Sequence, residues 1–166
     1  KNVNEYYFSR KLREVSALIR EGKPIINLGI GNPDLSPPSS VIESLKESFS
    51  DSKSSQYQSY QGIPEFRKAI AKFYQKHYAV DLDFNNEILP LMGSKEGIFH
   101  VSMAFLNPGD KVLIPNPGYP TYKSVSLLVG AKPIFYKLER ENSWQPNIDD
   151  LESIDLKGVK IMWINY

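Results

Sequence analysis

Four consecutive residues, Gly93-Ser94-Lys95-Glu96, could bind a phosphate group. They lie between a short apolar stretch and a longer one with helical spacing, so they are expected to form a strand-to-helix turn. A helix N-terminus offers unpaired N–H groups and a positive dipole end to an anion, and Ser and Lys add a hydroxyl and a charge. The alternative is a cap, with Ser94 capping the helix and Glu96 in its first turn. From these four residues alone the cap is favoured, because Ser is a frequent capping residue.

A second motif, Asn116 to Tyr122, follows the next predicted strand and places Tyr119 between two prolines. Proline restricts the backbone, so Pro117 and Pro120 could hold Tyr119 in one orientation. An aromatic ring at the carboxyl end of a parallel strand can stack on a flat ligand. Alternatively, the loop is structural and its Tyr covers the edge of the core; the motif alone does not decide between the two.

Several other residues could act in a site, but each has a simpler explanation. The loop 28–34 has two Gly, a Pro and an Asp and could bring bare backbone close to a substrate, although a tight turn is the better explanation of the loop taken alone. Tyr57 and Tyr60 have the pattern of half-buried aromatics, and His77 and His100 that of packed or surface histidines. No His/Asp/Glu cluster has metal-ligand spacing, so no metal site is predicted. The Walker A, dinucleotide-binding and nucleophile-elbow patterns are absent.

The elements that must position these residues follow from apolar periodicity. Three amphipathic helices are predicted first, at 4–20, 37–49 and 63–77. Strands and helices then alternate, with strands at 87–92, 111–115, 132–138 and 159–165 and helices at 98–105, 119–129 and 147–153. This alternation is typical of a parallel α/β sheet with right-handed crossovers, so the predicted fold class is α/β.

Composition excludes several classes of function. The 166 residues contain 20 Lys and Arg, 19 Asp and Glu and no Cys, and 41% of them are hydrophobic. The apolar fraction suffices for a core, and a net charge of +1 gives no electrostatic case for nucleic acid or an anionic membrane. The absence of Cys excludes disulfides, thiolate metal sites and a Cys nucleophile. No apolar stretch approaches the roughly 18 residues of a transmembrane helix.

Four segments in register resemble the N-terminal part of class I/II aminotransferases, the fold-type-I enzymes that use pyridoxal 5′-phosphate (PLP). They are LGIGNPD at 28–34, YQSYQGIPEFRKAIAKFY at 57–74, GSKEGIFH at 93–100 and PNPGYPTY at 115–122. The resemblance runs from about Tyr7 to Tyr166 and is greatest to the branch with LL-diaminopimelate and broad-range bacterial aminotransferases. It implies a three-layer PLP-transferase-like large domain with a mostly parallel, incomplete sheet at 28–166. Residues 1–27 would be an N-terminal arm with a helix of the small domain.

The resemblance also implies the roles of individual residues. Gly93, Ser94 and Lys95 would bind the cofactor phosphate, which raises the phosphate interpretation above the cap, although a phosphate can itself act as the helix cap. Tyr119 would stack on the pyridine ring.

Three further residues would act on the substrate or across a dimer. Ile30 and Gly31 would line the substrate site near the α-carboxylate. Tyr57 would reach the phosphate of the partner subunit's cofactor, which implies a homodimer with shared active sites.

The sequence departs from the family in what it lacks. Such enzymes need a Schiff-base Lys, an Asp at the pyridine nitrogen, an Asn near the ring hydroxyl and an Arg that binds the substrate carboxylate. In the family these follow the strand on which this sequence ends, and the Asn motif would begin just past Tyr166. No Lys here has the S-x-[SA]-K context, so no catalytic residue is assigned. We expect an N-terminal part that cannot transaminate alone.

The expected function is that of the whole enzyme. It would move an amino group from an amino acid to a 2-oxo acid by a ping-pong mechanism. One alternative is a fold-type-I PLP C–S lyase or a related lyase, and a second is a non-catalytic PLP- or effector-binding module. No nucleic-acid or membrane partner is expected, and without a signal peptide the expected location is the cytoplasm.

Overall fold

A computed structural model describes residues 5–165. These residues form two compact units, 5–90 and 91–165, and each is described by itself. The expected division into an arm at 1–27 and a large domain at 28–166 concerns a whole enzyme and stays a prediction. In the described residues, no helix has both the length and the apolar character needed to cross a membrane.

The unit at 5–90 is helical. Its elements are α1 (Tyr7–Arg20), α2 (Ser39–Ser50), a short 3-10 helix (Ser52–Ser55) and α3 (Pro64–Tyr78). These confirm the three predicted helices. Pro64 is the first residue of α3, and Gly22, which follows the end of α1, has a φ of 80°. Among the described residues of this unit Arg67 alone is buried. Its Nη1 donates to the carbonyl oxygens of Phe84 and Asn85, at 2.8 and 3.3 Å, and so fastens the segment after α3 to that helix.

The unit at 91–165 contains the sheet. Its elements, in chain order, are α4 (Ser94–Phe105), β1 (Lys111–Asn116), α5 (Pro120–Leu128), β2 (Lys132–Lys137), a 3-10 helix (Arg140–Asn142), α6 (Ile148–Ser153) and β3 (Val159–Met162). The strands are parallel in the order β2-β1-β3, with α5 and α6 as the crossovers. The predicted α/β class is therefore confirmed. Asn147 caps α6 as expected, since its Oδ1 accepts from the N–H groups of Asp149 and Asp150.

Strand β1 organises the core because it is central and buried on both faces. Val112 and Ile114 face a cluster that includes Ile98 of α4 and Val125 of α5. Leu113 points the other way, as alternation along a strand requires, into a cluster that is lined in part by α6. The unit thus has helices on both faces of a parallel sheet, which is the layering that the resemblance implies.

The predicted strand at 87–92 is wrong. No strand forms there, because the backbone groups at both ends of the segment are bonded locally. The Glu87 N–H donates to the Asp83 carbonyl at 2.9 Å, and the Met92 N–H donates to the Glu96 carboxylate. A short apolar run has the same pattern in a strand and in an extended segment, so periodicity could not separate them.

An ion pair fastens the turn before β3 to the start of β1. Lys111 Nζ lies 2.7 Å from Asp155 Oδ2, and the Lys157 N–H donates to Asp155 Oδ1 at 3.0 Å. Hydrogen bonding from Lys111, and then from Lys157, lowers the pKa of Asp155 below its ordinary value. A lowered carboxyl pKa contributes stability above the unfolded-state pKa, and this is lost as the pH falls through the folded-state pKa.

We therefore expect Asp155→Asn to lower the free energy of unfolding near neutral pH and to flatten its decline below about pH 4. Denaturant titrations between pH 2 and pH 7 measure both effects. Lys111→Met should flatten the decline too, and the double variant should add little. An acid decline that is identical in the wild type and Asp155→Asn would contradict the expectation.

Candidate functional site

The N-terminus of α4 carries the first candidate residues. Gly93 occupies the N-cap position with φ 92° and ψ 162°, and no side chain caps the helix. The alternative interpretation, in which the Ser94 side chain caps the helix, is therefore wrong. Ser94 is the first helical residue, and its own N–H belongs to the first-turn donors that have no partner inside the helix. A Cβ placed on Gly93 would meet nothing within 4 Å, so the backbone there is open to a ligand.

The segment before this turn is held against α4 by two contacts. Glu96, in the first turn, accepts from the Met92 N–H at 2.5 Å. Gly97 leaves room for Leu91, since a Cβ at Gly97 would lie 2.6 Å from Leu91 Cδ1. His100 Nε2 is 3.5 Å from the other carboxylate oxygen of Glu96. The sequence shows Glu96 in the first turn, but not which N–H it binds.

Tyr119 occupies the N-cap position of α5, just after the carboxyl end of β1. The Asn116–Pro117 peptide bond before it is cis, and Pro120 is the first residue of the helix. Lys95 Nζ lies 5.6 Å from the centroid of the Tyr119 ring, which is cation–π distance. The structure thus brings the turn at the start of α4 and the aromatic at the start of α5 together through Lys95.

Behind Tyr119 is an aromatic row that sequence reasoning missed. The ring of Tyr119 meets that of Tyr122 edge-on at 5.8 Å, and Tyr122 stacks on Trp163 at 5.1 Å with the planes 11° apart. Burial raises the pKa of Tyr122, and the neighbouring Tyr119 adds to this. Tyr122 follows Tyr119 by one helical turn, which could have signalled the first contact. Trp163 is distant in sequence and reaches the row because β3 pairs with β1.

Gly118 allows the loop before Tyr119 to fold back on β1. A Cβ at Gly118 would overlap the Pro115 carbonyl oxygen and lie 2.9 Å from Pro115 Cγ. The backbone at Gly118 therefore approaches Pro115 so closely that any residue larger than Gly would prevent the contact.

The residues in this unit fit the cofactor that the resemblance implies. Its phosphate needs several hydrogen-bond donors and a positive field, which the uncapped N-terminus of α4, the exposed Ser94 hydroxyl and Lys95 provide. Its ring needs an oriented aromatic surface, which Tyr119 provides in edge-on contact with Tyr122. The chemistry of these groups matches both halves of the ligand.

The remaining candidates belong to the unit at 5–90. Tyr57 is fully exposed, at 106% relative accessibility, just after the Ser52–Ser55 3-10 helix. Ile30 is 44% exposed, and a Cβ on Gly31 would meet nothing within 4 Å. Within its own unit, therefore, none of the three is packed into a core.

Comparisons with known proteins show the family to which this chain belongs. The sequence model of the family described as aminotransferase class I and II matches residues 23–166, so the chain belongs to that family. The family consists of PLP-dependent enzymes. The LL-diaminopimelate aminotransferase of Aquifex aeolicus is 41% identical over 161 residues, which are 97% of this chain and 42% of that protein. The enzyme of the same name from Halothermothrix orenii is 37% identical over 166 residues, or 100% of this chain and 43% of that protein.

Several solved structures resemble this chain in fold. The apo-BacF structure from Bacillus subtilis superposes with a TM-score of 0.90 and 34% identity, covering 100% of this chain and 42% of that one. An alanine aminotransferase from Pyrococcus furiosus gives a TM-score of 0.85 at 29% identity, covering 95% and 40%. The chain spans about two-fifths of the length of the curated relatives that it matches. The resemblance to an N-terminal portion is thereby confirmed.

Proposed function

We propose that this chain forms the cofactor-phosphate and ring-binding part of a PLP-dependent aminotransferase. The whole enzyme moves an amino group from an amino acid to a 2-oxo acid by a ping-pong mechanism. The observation that carries the proposal is the uncapped N-terminus of α4 beside Tyr119, with Lys95 over the Tyr119 ring. The most similar relatives reported above are named for LL-diaminopimelate, so a diamino dicarboxylic acid is the first amino donor to test.

Each residue of the site has a binding or orienting role. Bound PLP supplies the electron sink that stabilises negative charge at the substrate Cα. The first-turn N–H groups of α4 and the Ser94 hydroxyl hold the phosphate, and Lys95 neutralises part of its charge. Tyr119 orients the ring by stacking. Ile30 and Gly31 leave open backbone for the substrate carboxylate. The proton transfer at Cα is assigned to no residue of this chain.

The experiment is to express the full-length protein with PLP and record its visible absorption while amino acids are added. We expect a cofactor band that shifts with LL-diaminopimelate and returns when a 2-oxo acid is added. A protein without any such band would contradict the proposal. Product analysis separates the reaction types, since ammonia and pyruvate would indicate a C–S lyase. A band that no amino acid shifts would indicate a non-catalytic binding module.

We further propose a homodimer in which Tyr57 contacts the phosphate bound by the partner subunit, and a cytoplasmic location. The Tyr57 ring is fully exposed within its own unit, so it is accessible to a second subunit. Cell fractionation tests the location, and sedimentation tests the dimer.

Mixed dimers test whether Tyr57 acts across the interface. Tyr57→Phe damages the partner's site, whereas Ser94→Asp damages the subunit's own site. Co-expressing the two inactive variants with different tags should therefore restore one intact site per mixed dimer, with about half of the wild-type activity per dimer. If Tyr57 acts within its own subunit, every site carries one defect and the mixed dimers stay inactive.

A further inference from the structure

We infer that Glu96 is a positioning residue that fixes the shape of the phosphate-binding turn. The inference rests on the proposed function, because it concerns the same turn at the start of α4. Glu96 acts by holding Met92, the residue before Gly93, and not by touching the ligand. The charge of Glu96 alone would weaken phosphate binding, because a carboxylate in the first turn repels a phosphate. We infer the opposite net effect.

The contact that carries the inference joins the Glu96 carboxylate to a backbone group outside the helix. Glu96 Oε2 accepts from the Met92 N–H at 2.5 Å, across Gly93 at the N-cap. In a capping box, the residue at this helical position reaches back to the N-cap, and the cap side chain returns a bond. Here the cap is Gly, so no side chain returns one. The carboxylate thus ties down the preceding segment through the Met92 N–H, and no side chain caps the helix.

A second, independent contact holds the same segment. The Leu91 side chain lies over the first turn of α4, where Gly97 has no Cβ to exclude it. A Cβ at Gly97 would be 2.6 Å from Leu91 Cδ1, so any larger residue must move that side chain. An apolar contact thus holds Leu91, and a hydrogen bond holds Met92.

The consequence is that the turn is ordered before any ligand arrives. Gly93 adopts φ 92°, a conformation that an untethered backbone would occupy only part of the time. Fixing a residue costs conformational entropy, and a ligand that finds the turn already formed does not bear that cost. Glu96 therefore increases phosphate affinity indirectly, despite its charge.

The test uses the full-length protein and pyridoxamine 5′-phosphate, which binds without a covalent bond, with pyridoxamine as the ligand that lacks the phosphate. Glu96→Ala should weaken pyridoxamine 5′-phosphate about tenfold in calorimetric titration and leave pyridoxamine unchanged. Glu96→Gln keeps an oxygen acceptor for the Met92 N–H and removes the charge. It should bind within about twofold of the wild type, or tighter.

Further variants test the contact between Leu91 and Gly97, and whether the effect is specific to the carboxylate of Glu96. Gly97→Ala should also weaken pyridoxamine 5′-phosphate, and adding Leu91→Ala should restore part of the loss. Glu65→Ala removes a carboxylate from the first turn of α3 and is the matched control, with no expected change in either ligand.

Three outcomes would overturn the inference. They are wild-type affinity in Glu96→Ala, equal losses in Glu96→Ala and Glu96→Gln, or equal losses for the two ligands. Equal losses in the two variants would show that the charge acts only on the helix dipole. These failures differ from failure of the proposed function, in which the wild type itself does not bind pyridoxamine 5′-phosphate.

Discussion

Ser94→Asp is expected to weaken phosphate binding at least a hundredfold while leaving the fold as stable as before or slightly more stable. Ser94 is the first residue of α4, where a carboxylate interacts favourably with the helix dipole. The same carboxylate repels a bound phosphate. Two like charges about 5 Å apart repel by about 3 kcal/mol at an effective dielectric constant near 20, which is more than a hundredfold in affinity.

The measurement is a calorimetric titration of pyridoxamine 5′-phosphate, together with thermal unfolding of the free protein. Ser39→Asp is the matched control, because Ser39 is the first residue of α2. It should leave ligand affinity unchanged. If Ser94 served only the helix, Ser94→Asp would bind the ligand like the wild type. If Ser94→Asp keeps the wild-type affinity, the phosphate does not bind at this turn.

Gly118→Ala should be the most destabilising of the conservative glycine substitutions in the described unit 91–165. The new Cβ would overlap the Pro115 carbonyl oxygen, which belongs to the buried central strand β1 and cannot move away. Overpacking of this kind costs about 1–3 kcal/mol, and a backbone neighbour places it at the upper end. We also expect lower affinity for pyridoxamine 5′-phosphate, because the loop that orients Tyr119 must shift.

Denaturant unfolding measures the stability change, and Gly31→Ala is the control for stability alone. A Cβ at Gly31 would meet nothing within 4 Å, so this variant should unfold at the same or a slightly higher denaturant concentration. Equal midpoints for Gly118→Ala and the wild type would show that the loop has room for a side chain. The close approach to β1 would then have no role in placing Tyr119.

The elements of the fold could be predicted where periodicity and punctuation agree. Pro64 at the start of α3, Asn147 as the cap of α6 and the apolar run of β1 are all local signals, and the structure confirms them. The prediction of a strand at 87–92 is wrong, because an apolar run of six residues does not reveal whether a partner strand exists. That depends on contacts between residues far apart in sequence.

The candidate site divides in the same way. The position of Gly93 and Ser94 at a helix N-terminus could be predicted from the strand-to-helix pattern, but the identity of the cap could not. Whether Ser94 caps the helix or begins it depends on a shift of one residue, and helix ends are uncertain by that much. The Tyr122–Trp163 stack could not be predicted, since it requires the pairing of β1 with β3.

The contact between Lys95 and Tyr119 makes the two halves of the site thermodynamically dependent on each other. Lys95 Nζ lies 5.6 Å from the centroid of the ring that would stack on the ligand, and Lys95 itself belongs to the first turn of α4, where the phosphate would bind. Any group that attracts Lys95 toward the helix therefore alters the aromatic surface. Coupling between two ligands is reciprocal, so inorganic phosphate must change the affinity for pyridoxamine by the same factor as pyridoxamine changes that for phosphate. The binding free energy of the intact cofactor then contains a coupling contribution that passes through this one side chain.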